Sequence, residues 1–238
     1  MNNSMPKKII RICRTWPSKH YRSIGLHAFN YTKYINIPTD IFLKGGDKND
    51  SLINLDNANF KTVRYYDLKF KSKNHNLIHY LLIAFSKLLG EIIMFIKLIF
   101  CIDKKSLKYS ILHIHCANYM IAGVLISKLF KIPVILQLGG TDIFRIKNSI
   151  IHRNLIKSID YFICVNKNIS YEIKNIDPKS QVSIVGNSAD IEIFRPAKKD
   201  PNIYTSIGNL RWQKNYGTMI KAFKFFLMLA LFLVISAA

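Results

Sequence analysis

Short runs of β-branched residues alternate with longer segments of helical periodicity, and this alternation restricts the fold more than any other feature of the chain. Strands are predicted at 8–15, 39–44, 60–66, 110–115, 133–138, 161–165, 181–185 and 203–207. Helices are predicted at 26–35, 77–102, 119–130, 146–158, 169–175 and 216–226. Strands separated by helices indicate an α/β fold, in which a Rossmann-like parallel sheet carries helices on both faces.

A change in composition near residue 197 divides this pattern into two domains. Residues 194–201 combine two prolines with charged residues, which is typical of a linker. We therefore predict a first domain at 1–197 and, at 198–238, the incomplete start of a second domain with an apolar tail. Half of the 238 residues are hydrophobic, which is enough to build a sizeable core in the first domain.

The charge balance of the chain is strongly positive. Lysine and arginine number 35 against 14 acidic residues, so the formal net charge is +21. Such a field attracts polyanions, and an anionic membrane surface is the preferred partner because no zinc knuckle or RNA-recognition signature points to nucleic acid. Lysine outnumbers arginine 27 to 8, however, and this excess is also typical of an AT-rich genome, in which part of the charge carries no function.

The longest apolar stretch of the chain, residues 77–102, contains three charged residues, Lys87, Glu91 and Lys97. A membrane-spanning helix tolerates such charges poorly, so we do not predict a membrane span here. At 100° per residue, the polar residues of this stretch fall within one sector of about 140°. We expect one or two amphipathic helices packed on the sheet; the alternative is an apolar face that dips into a bilayer interface.

The cysteines and the N-terminus indicate the compartment. The four cysteines form no C-x-x-C pair, and we expect small buried hydrophobes in a reducing compartment. The first residues lack the apolar core of a signal peptide. A cytoplasmic location is expected, and a peripheral position at the inner face of the cell membrane stays open.

Ligands of open parallel sheets bind at the carboxyl ends of the strands, so the candidate site residues are sought in the loops there. Four loops qualify, at 17–25, 115–119, 139–142 and 186–190. His115 is the better candidate of two strand histidines because it lies at the strand end, whereas His113 is expected to be a hydrogen-bonding core residue. Gly25 can simply serve a turn, and Asp142 can simply cap a helix.

Several chemistries are excluded by missing motifs. The chain has no phosphate-binding G-x-x-x-x-G-K-[ST] loop, no G-x-S-x-G elbow, no H-E-x-x-H zinc helix and no G-x-G-x-x-G after its first strand. We expect neither a metal site nor a nicotinamide or flavin cofactor.

Four segments carry a resemblance to one known family. They read HIHCANYMIAGVLISKLFKIPVILQLGGTDIF from residue 113, IDYFICVNKNISYEI from 159, VSIVGNSADIEIFRP from 182 and SIGNLRWQKNYGTMIKAF from 206. In this order the chain resembles the bacterial glycosyltransferases of family 4, whose GT-B architecture pairs two Rossmann-like domains. The resemblance spans roughly residues 8–225 and implies a GT-B N-terminal lobe followed by a truncated second lobe.

The resemblance implies transfer of a sugar from a nucleotide-sugar, which is a donor substrate and not a cofactor, usually with retention and without an obligatory metal. The acceptor would be a glycan or a lipid-linked glycan of cell-envelope polysaccharide synthesis. Asp142 and His115 become the catalytic candidates. The residues that match substrate-binding positions of the family are Gly25, Gly140, Thr141, Asn187, Asn209, Arg211 and Lys214. Lys214 matches the diphosphate lysine, and Asn187, with Asp190, matches the motif that closes the first domain.

The chain also departs from the family pattern. Gly139 replaces the cleft-loop histidine, and Asn209 replaces the diphosphate arginine, for which Arg211 is the possible substitute. After Lys224 an uncharged run ends the sequence, and the glutamate motif of the second domain is missing. A truncated product, one half of a split enzyme and a C-terminal membrane tether are three interpretations. We expect weak or no activity from this chain alone; the alternative is a non-catalytic remnant or a basic membrane-surface module.

Overall fold

The computed structural model describes residues 6–13, 16–17, 26–44, 54–63, 77–187, 195, 205–206 and 215–236, with the backbone alone at 26, 44, 62–63, 77–80 and 228–236. The chain divides into two compact units, Met1–Asp190 and Ile191–Ala238. The first unit holds the sheet. Of the second unit, the described part is mainly one helix. The predicted domain boundary at 197 falls in the second unit, and the predicted truncation of that domain stays a prediction.

The sheet has seven parallel strands in the order β3-β2-β1-β4-β5-β6-β7. The strands are β1 Lys8–Cys13, β2 Thr39–Lys44, β3 Ala58–Val63, β4 Ser110–Ile114, β5 Val134–Leu138, β6 Tyr161–Cys164 and β7 Val182–Ile184. β2 and β3 are added on one side of β1 and end at one edge of the sheet. β4 then pairs with the other side of β1, and β5, β6 and β7 follow it to the opposite edge. The predicted α/β fold with a Rossmann-like parallel sheet is confirmed.

Seven α-helices are described: α1 Leu26–Tyr34, α2 Leu77–Cys101, α3 Met120–Phe130, α4 Asp142–Lys147, α5 Ile150–Leu155, α6 Lys167–Ile176 and α7 Tyr216–Ser236. In β1, alternate side chains point to opposite faces. Ile10 and Ile12 pack in a core with Met94 of α2 and other residues of α2–α6. Cys13 packs in a smaller core with Ala28 of α1. Helices therefore cover both faces of the sheet, as predicted.

A buried carboxyl group joins α2 to α3. The Glu91 Oε2 atom accepts a hydrogen bond of 3.0 Å from the main-chain N–H of Ala122, the third residue of α3. The first N–H groups of a helix have no partner within the helix, so this contact satisfies one of them. Burial raises the pKa of Glu91 to about 8, although the bond to Ala122 and the charge of Arg145 act in the opposite direction.

The helix predicted at 146–158 is wrong in its bounds. The chain is already helical at Asp142, and α4 and α5 are separated at Asn148 and Ser149. The Ser149 hydroxyl accepts a hydrogen bond of 3.4 Å from the N–H of His152, so it caps the start of α5 and restarts the helix there.

Other bounds differ less. The long apolar stretch forms one helix, α2, and α7 extends ten residues beyond the predicted 226 to Ser236. The strand predicted at 203–207 lies largely outside the described residues. In the described part of the chain, no helix is both long enough and apolar enough to cross a membrane.

Candidate functional site at the carboxyl edge of the sheet

The strand order defines where a ligand would bind. β1 pairs with β4, and the chain reverses its direction of growth between these two strands, which leaves a crevice at their carboxyl ends. The N–H of His115 donates to the carbonyl of Ile12 at 2.9 Å, so the pairing of β1 and β4 continues to the end of the sheet. The loops at 115–119 and 139–142 follow β4 and its neighbour β5, and thus lie side by side.

Asp142 fastens these two loops to each other. Its Oδ2 atom accepts a hydrogen bond of 2.8 Å from the N–H of Gly139, and its Oδ1 atom accepts one of 3.2 Å from the N–H of Ala117. The N–H of Asp142 in turn donates to the carbonyl of Gly139 at 3.2 Å. Thr141 is the N-cap of α4, and Asp142 is its first residue. The carboxylate therefore does more than cap a helix: it positions both strand-end loops.

The glycines of the loop after β5 leave space at the site. A side chain on Gly140 would meet no described atom within 4 Å, and one on Gly139 would come 3.4 Å from Asp142 Oδ2. Gly140 and Thr141 are exposed. This side of the crevice therefore consists of main chain and one hydroxyl, over which a ligand can approach the backbone closely.

His115 stands at the end of β4 with an uncharged ring. Burial, and to a lesser degree the positive charge of Arg11, lowers its pKa to about 4. The ring centroid lies 6.5 Å from that of Tyr31 on α1 and 6.0 Å from that of His113. In the described part of the chain, its buried Nε2 atom has no hydrogen-bond partner. At neutral pH, His115 is thus a neutral imidazole with one unused nitrogen near the crevice.

A buried arginine behind His115 is the feature that sequence reasoning missed. The Arg11 Nε atom donates to His113 Nδ1 at 3.1 Å, and Nη1 donates to the carbonyl of Ala28 at 3.1 Å and to the hydroxyl of Thr32. His113 is a hydrogen-bonding core residue, as predicted. The signal for Arg11 was present in the sequence, as a cation flanked on both sides by apolar residues in the strand KIIRIC.

Arg11 belongs to a group of buried polar side chains between α1 and the sheet. In the described residues, the buried Arg11 Nη2 and His115 Nε2 atoms have no hydrogen-bond partner. The other members are Tyr31, His113 and Gln137, and the Gln137 side chain interacts with the side chains of both Tyr31 and His113. We call these five residues the polar cluster. Unpaired buried polar atoms are rare in folded proteins and are characteristic of sites that take a ligand or ordered water.

The other predicted site residues are distributed as follows. Gly25, Asn209, Arg211 and Lys214 lie outside the described residues, as does Asp190. Asn187 is exposed and follows β7, which is three strands, or about 14 Å, from β4. The structure thus brings His115, Gly140, Thr141 and Asp142 to adjacent loops and leaves Asn187 apart from them. The roles assigned to all of these residues stay predictions.

Two further features bear on chemistry. In the described part, no group of three or more His, Cys, Asp or Glu side chains could hold a metal ion. The four cysteines are free; Cys13 and Cys164 are buried as expected, whereas Cys116 is partly exposed and Cys101 is exposed. A groove of about 440 Å³ between Asp160 and Lys179 lies at the amino edge of the sheet, opposite the candidate site.

The parallel sheet and its strand-end loops define a Rossmann-like lobe of the kind that GT-B glycosyltransferases contain. Residues 64–166, less than half of the chain, match the family model described as "Glycosyl transferase 4-like". This segment contains β4, β5 and both loops that Asp142 joins. The resemblance predicted from the sequence is confirmed at this level. A comparison with curated protein sequences gives no significant match.

Solved structures share the fold at low sequence identity. Sucrose-phosphate synthase from Thermosynechococcus elongatus superposes with a TM-score of 0.56 at 9% identity, over 80% of this chain and 50% of its own. The Anabaena protein Alr3699/HepE, in complex with UDP and glucose, superposes with a TM-score of 0.50 at 11% identity, over 81% of this chain and 47% of its own. The chain thus spans about half the length of these proteins.

Proposed function

We propose that the sheet unit is the acceptor-side lobe of a glycosyltransferase that moves a sugar from a nucleotide-sugar to a glycan or a lipid-linked acceptor in cell-envelope polysaccharide synthesis. The observation that carries the proposal is the joining of the loops after β4 and β5 by Asp142, inside the segment that matches the family model. The Anabaena structure with UDP and glucose supports a nucleotide-sugar as the donor.

The chemistry at the site fits an acceptor hydroxyl. Sugar transfer with retention has two requirements. Positive groups and N–H donors must stabilise the departing diphosphate, and the acceptor oxygen must be held nearby. His115, as a neutral imidazole, can exchange a hydrogen bond with that hydroxyl without bringing another positive charge close to Arg11. Open space above Gly140 lets the acceptor approach the main chain. Asp142 acts as a positioning residue because both of its oxygens are engaged by loop N–H groups.

Donor turnover tests the proposal. The chain, at a concentration above that of the donor, is incubated with UDP-, GDP- and dTDP-sugars and a lipid-linked saccharide, and release of the nucleoside diphosphate is followed. We expect slow release, far below the roughly 10 s⁻¹ that is typical of enzymes, and its loss in His115→Ala. The control is Tyr171→Ala, a change at an exposed residue of α6. Release that is equal in His115→Ala would contradict the assigned site.

The second candidate is a non-catalytic module with the same fold that binds an anionic membrane surface. The exposed apolar side chains of α2 and the net charge of +21 favour it. The two candidates separate in the same assay, because the module releases no nucleoside diphosphate from any donor yet still binds anionic vesicles.

A further inference from the structure

The long helix α2 has its apolar side turned toward solvent. Leu81, Phe85, Leu88, Ile92 and Ile96 follow one another at spacings of three or four residues, so they form one row within a sector of about 80°. Leu81 is 60% exposed and Phe85 63% exposed. Phe100 continues the row at its end and is 84% exposed. We call these six residues the apolar row.

Part of the polar side of α2 faces the protein instead, although Lys87 of that side is exposed. Ser86, Gly90 and Glu91 are buried, together with Met94 and Leu98 of the core. A surface helix of a soluble protein normally presents the opposite arrangement, with its apolar stripe inward and its polar residues outward. A contiguous exposed row of large apolar side chains is typical of a surface that binds a partner or a membrane.

The first half of α2 extends past the start of α3. α2 and α3 both run from the carboxyl edge of the sheet to its amino edge, and Glu91 of α2 is level with Ala122 near the start of α3. Residues 77–88 therefore reach about 18 Å beyond the start of α3, at a rise of 1.5 Å per residue. They lie on the carboxyl side of the sheet, where the candidate site is.

The charge around α2 selects the partner. From the start of α2 to the residue after α3, residues 77–131 contain seven lysines against two acids, Glu91 and Asp103. Glu91 is buried, and Asp103 caps the 3₁₀ turn after α2. Lys104, Lys105 and Lys108 of that turn are exposed. A second copy of this chain would bring together two proteins of charge +21, whereas an anionic bilayer offers both an apolar interior and opposite charge.

We propose that the apolar row of α2 inserts into the interface of an anionic membrane, with α2 lying along the bilayer. The lysines after its end then meet the headgroups, and its start holds the carboxyl edge of the sheet near the bilayer. This inference deepens the membrane part of the proposed function and does not depend on sugar transfer. Interfacial helices combine burial of apolar area with attraction to anionic headgroups. Here the apolar row supplies the first contribution, and the lysines supply the second. A lipid-linked acceptor would then reach the strand-end loops without leaving its membrane.

Vesicle co-sedimentation of the whole chain tests the inference. Vesicles of phosphatidylcholine alone are compared with vesicles that contain about 30% phosphatidylglycerol, at low salt and at 0.5 M salt. We expect strong partitioning to the anionic vesicles, weak partitioning to the neutral ones and a loss at high salt, where charges are screened beyond a few ångströms. Lys104→Gln, Lys105→Gln and Lys108→Gln should each reduce anionic binding about fivefold at most.

The triple variant Leu81→Ser, Phe85→Ser, Leu88→Ser isolates the row. Since each large apolar side chain contributes about tenfold to partitioning when buried, the variant should lose on the order of a thousandfold. The matched control is Phe225→Ser with Leu227→Ser, two exposed apolar residues of α7, which should change binding less than twofold. Circular dichroism checks that both variants fold, as expected for changes at exposed positions.

Three results would overturn the proposal. Equal binding to neutral and anionic vesicles would remove the role of the lysines. Binding that survives the triple variant but is lost in the α7 control would assign the contact to α7. The third result is a wild-type chain that does not bind vesicles but dimerises in light scattering. If the triple variant is then monomeric, the row is a contact to a second copy of the chain. Donor release is measured separately, so its absence alone leaves the membrane contact standing.

Discussion

Replacement of the buried Glu91 by glutamine should stabilise the protein at pH 8 and leave it nearly unchanged at pH 4.5. The pKa of Glu91 is raised from its ordinary value of 4.5 to about 8, chiefly by burial. When folding raises the pKa of a carboxyl group, the protein keeps its full stability at pH values below the unfolded-state pKa. The free energy of unfolding then falls as the pH rises toward the folded-state pKa. The amide of glutamine keeps an oxygen for the N–H of Ala122 but carries no charge at any pH.

The size of the effect follows from the two pKa values. Each pKa unit corresponds to about 1.36 kcal/mol, so a shift from 4.5 to about 8 makes the buried carboxyl cost about 4 kcal/mol between these pH values. Glu91→Gln should remove this cost. At pH 8 the variant should exceed the wild type by a few kcal/mol in the free energy of unfolding, and the excess should vanish near pH 4.5.

Urea unfolding at pH 4.5, 6 and 8, followed by circular dichroism, measures the effect. The matched control is Glu172→Gln, because Glu172 is partly exposed in an ion pair of 3.0 Å with Lys147. Exposed pairs contribute about 0–1 kcal/mol, so this control should shift stability little at any pH. The reasoning is refuted if the wild type and Glu91→Gln show the same pH dependence, or if the variant is less stable than the wild type at pH 8.

Two further predictions concern the strand-end loops and the core. Asp142→Asn places an NH₂ group opposite one of the two loop N–H groups that donate to Asp142, so that hydrogen bond is lost. We expect a loss of about 2 kcal/mol in the free energy of unfolding and faster amide exchange at Ala117 and Gly139. Unchanged exchange at both residues would contradict the joining of the two loops by Asp142. Gly123→Ala puts a methyl group onto Ile114 Cδ1 and Cγ1 in the core, and overpacking should cost about 1–3 kcal/mol. Gly217→Ala of α7, which would meet no described atom within 4 Å, is the control and should be neutral or slightly stabilising.

The sheet was accessible from sequence because its central strands β1, β4 and β5 are buried on both faces and therefore read as nearly continuous apolar runs. β2 occupies the predicted residues, and β5 and β6 end within one residue of their predicted ends. Part of the candidate site could also be predicted, because His115 and Gly140–Asp142 lie at strand ends that the sequence alone can locate. What sequence could not give is contact between distant residues. The bond from Asp142 to Ala117 depends on β4 and β5 being neighbours, and the bond from Arg11 to His113 depends on the pairing of β1 with β4.

The orientation of α2 shows most clearly where sequence reasoning ends. Helical periodicity places the polar residues of α2 in one sector, but it does not say whether that sector faces water or protein. The structure resolves this through Glu91, whose carboxyl must turn inward to reach the free N–H of Ala122 at the start of α3. Ser86 and Gly90 share the sector of Glu91 and become buried with it. Because a helix is rigid, the opposite sector is then forced outward, and it is the one that holds Leu81, Phe85 and Leu88. Met94 and Leu98 lie in the same inward sector and pack in the core, so the contact of Glu91 and the exposure of the apolar row both follow from one orientation of α2.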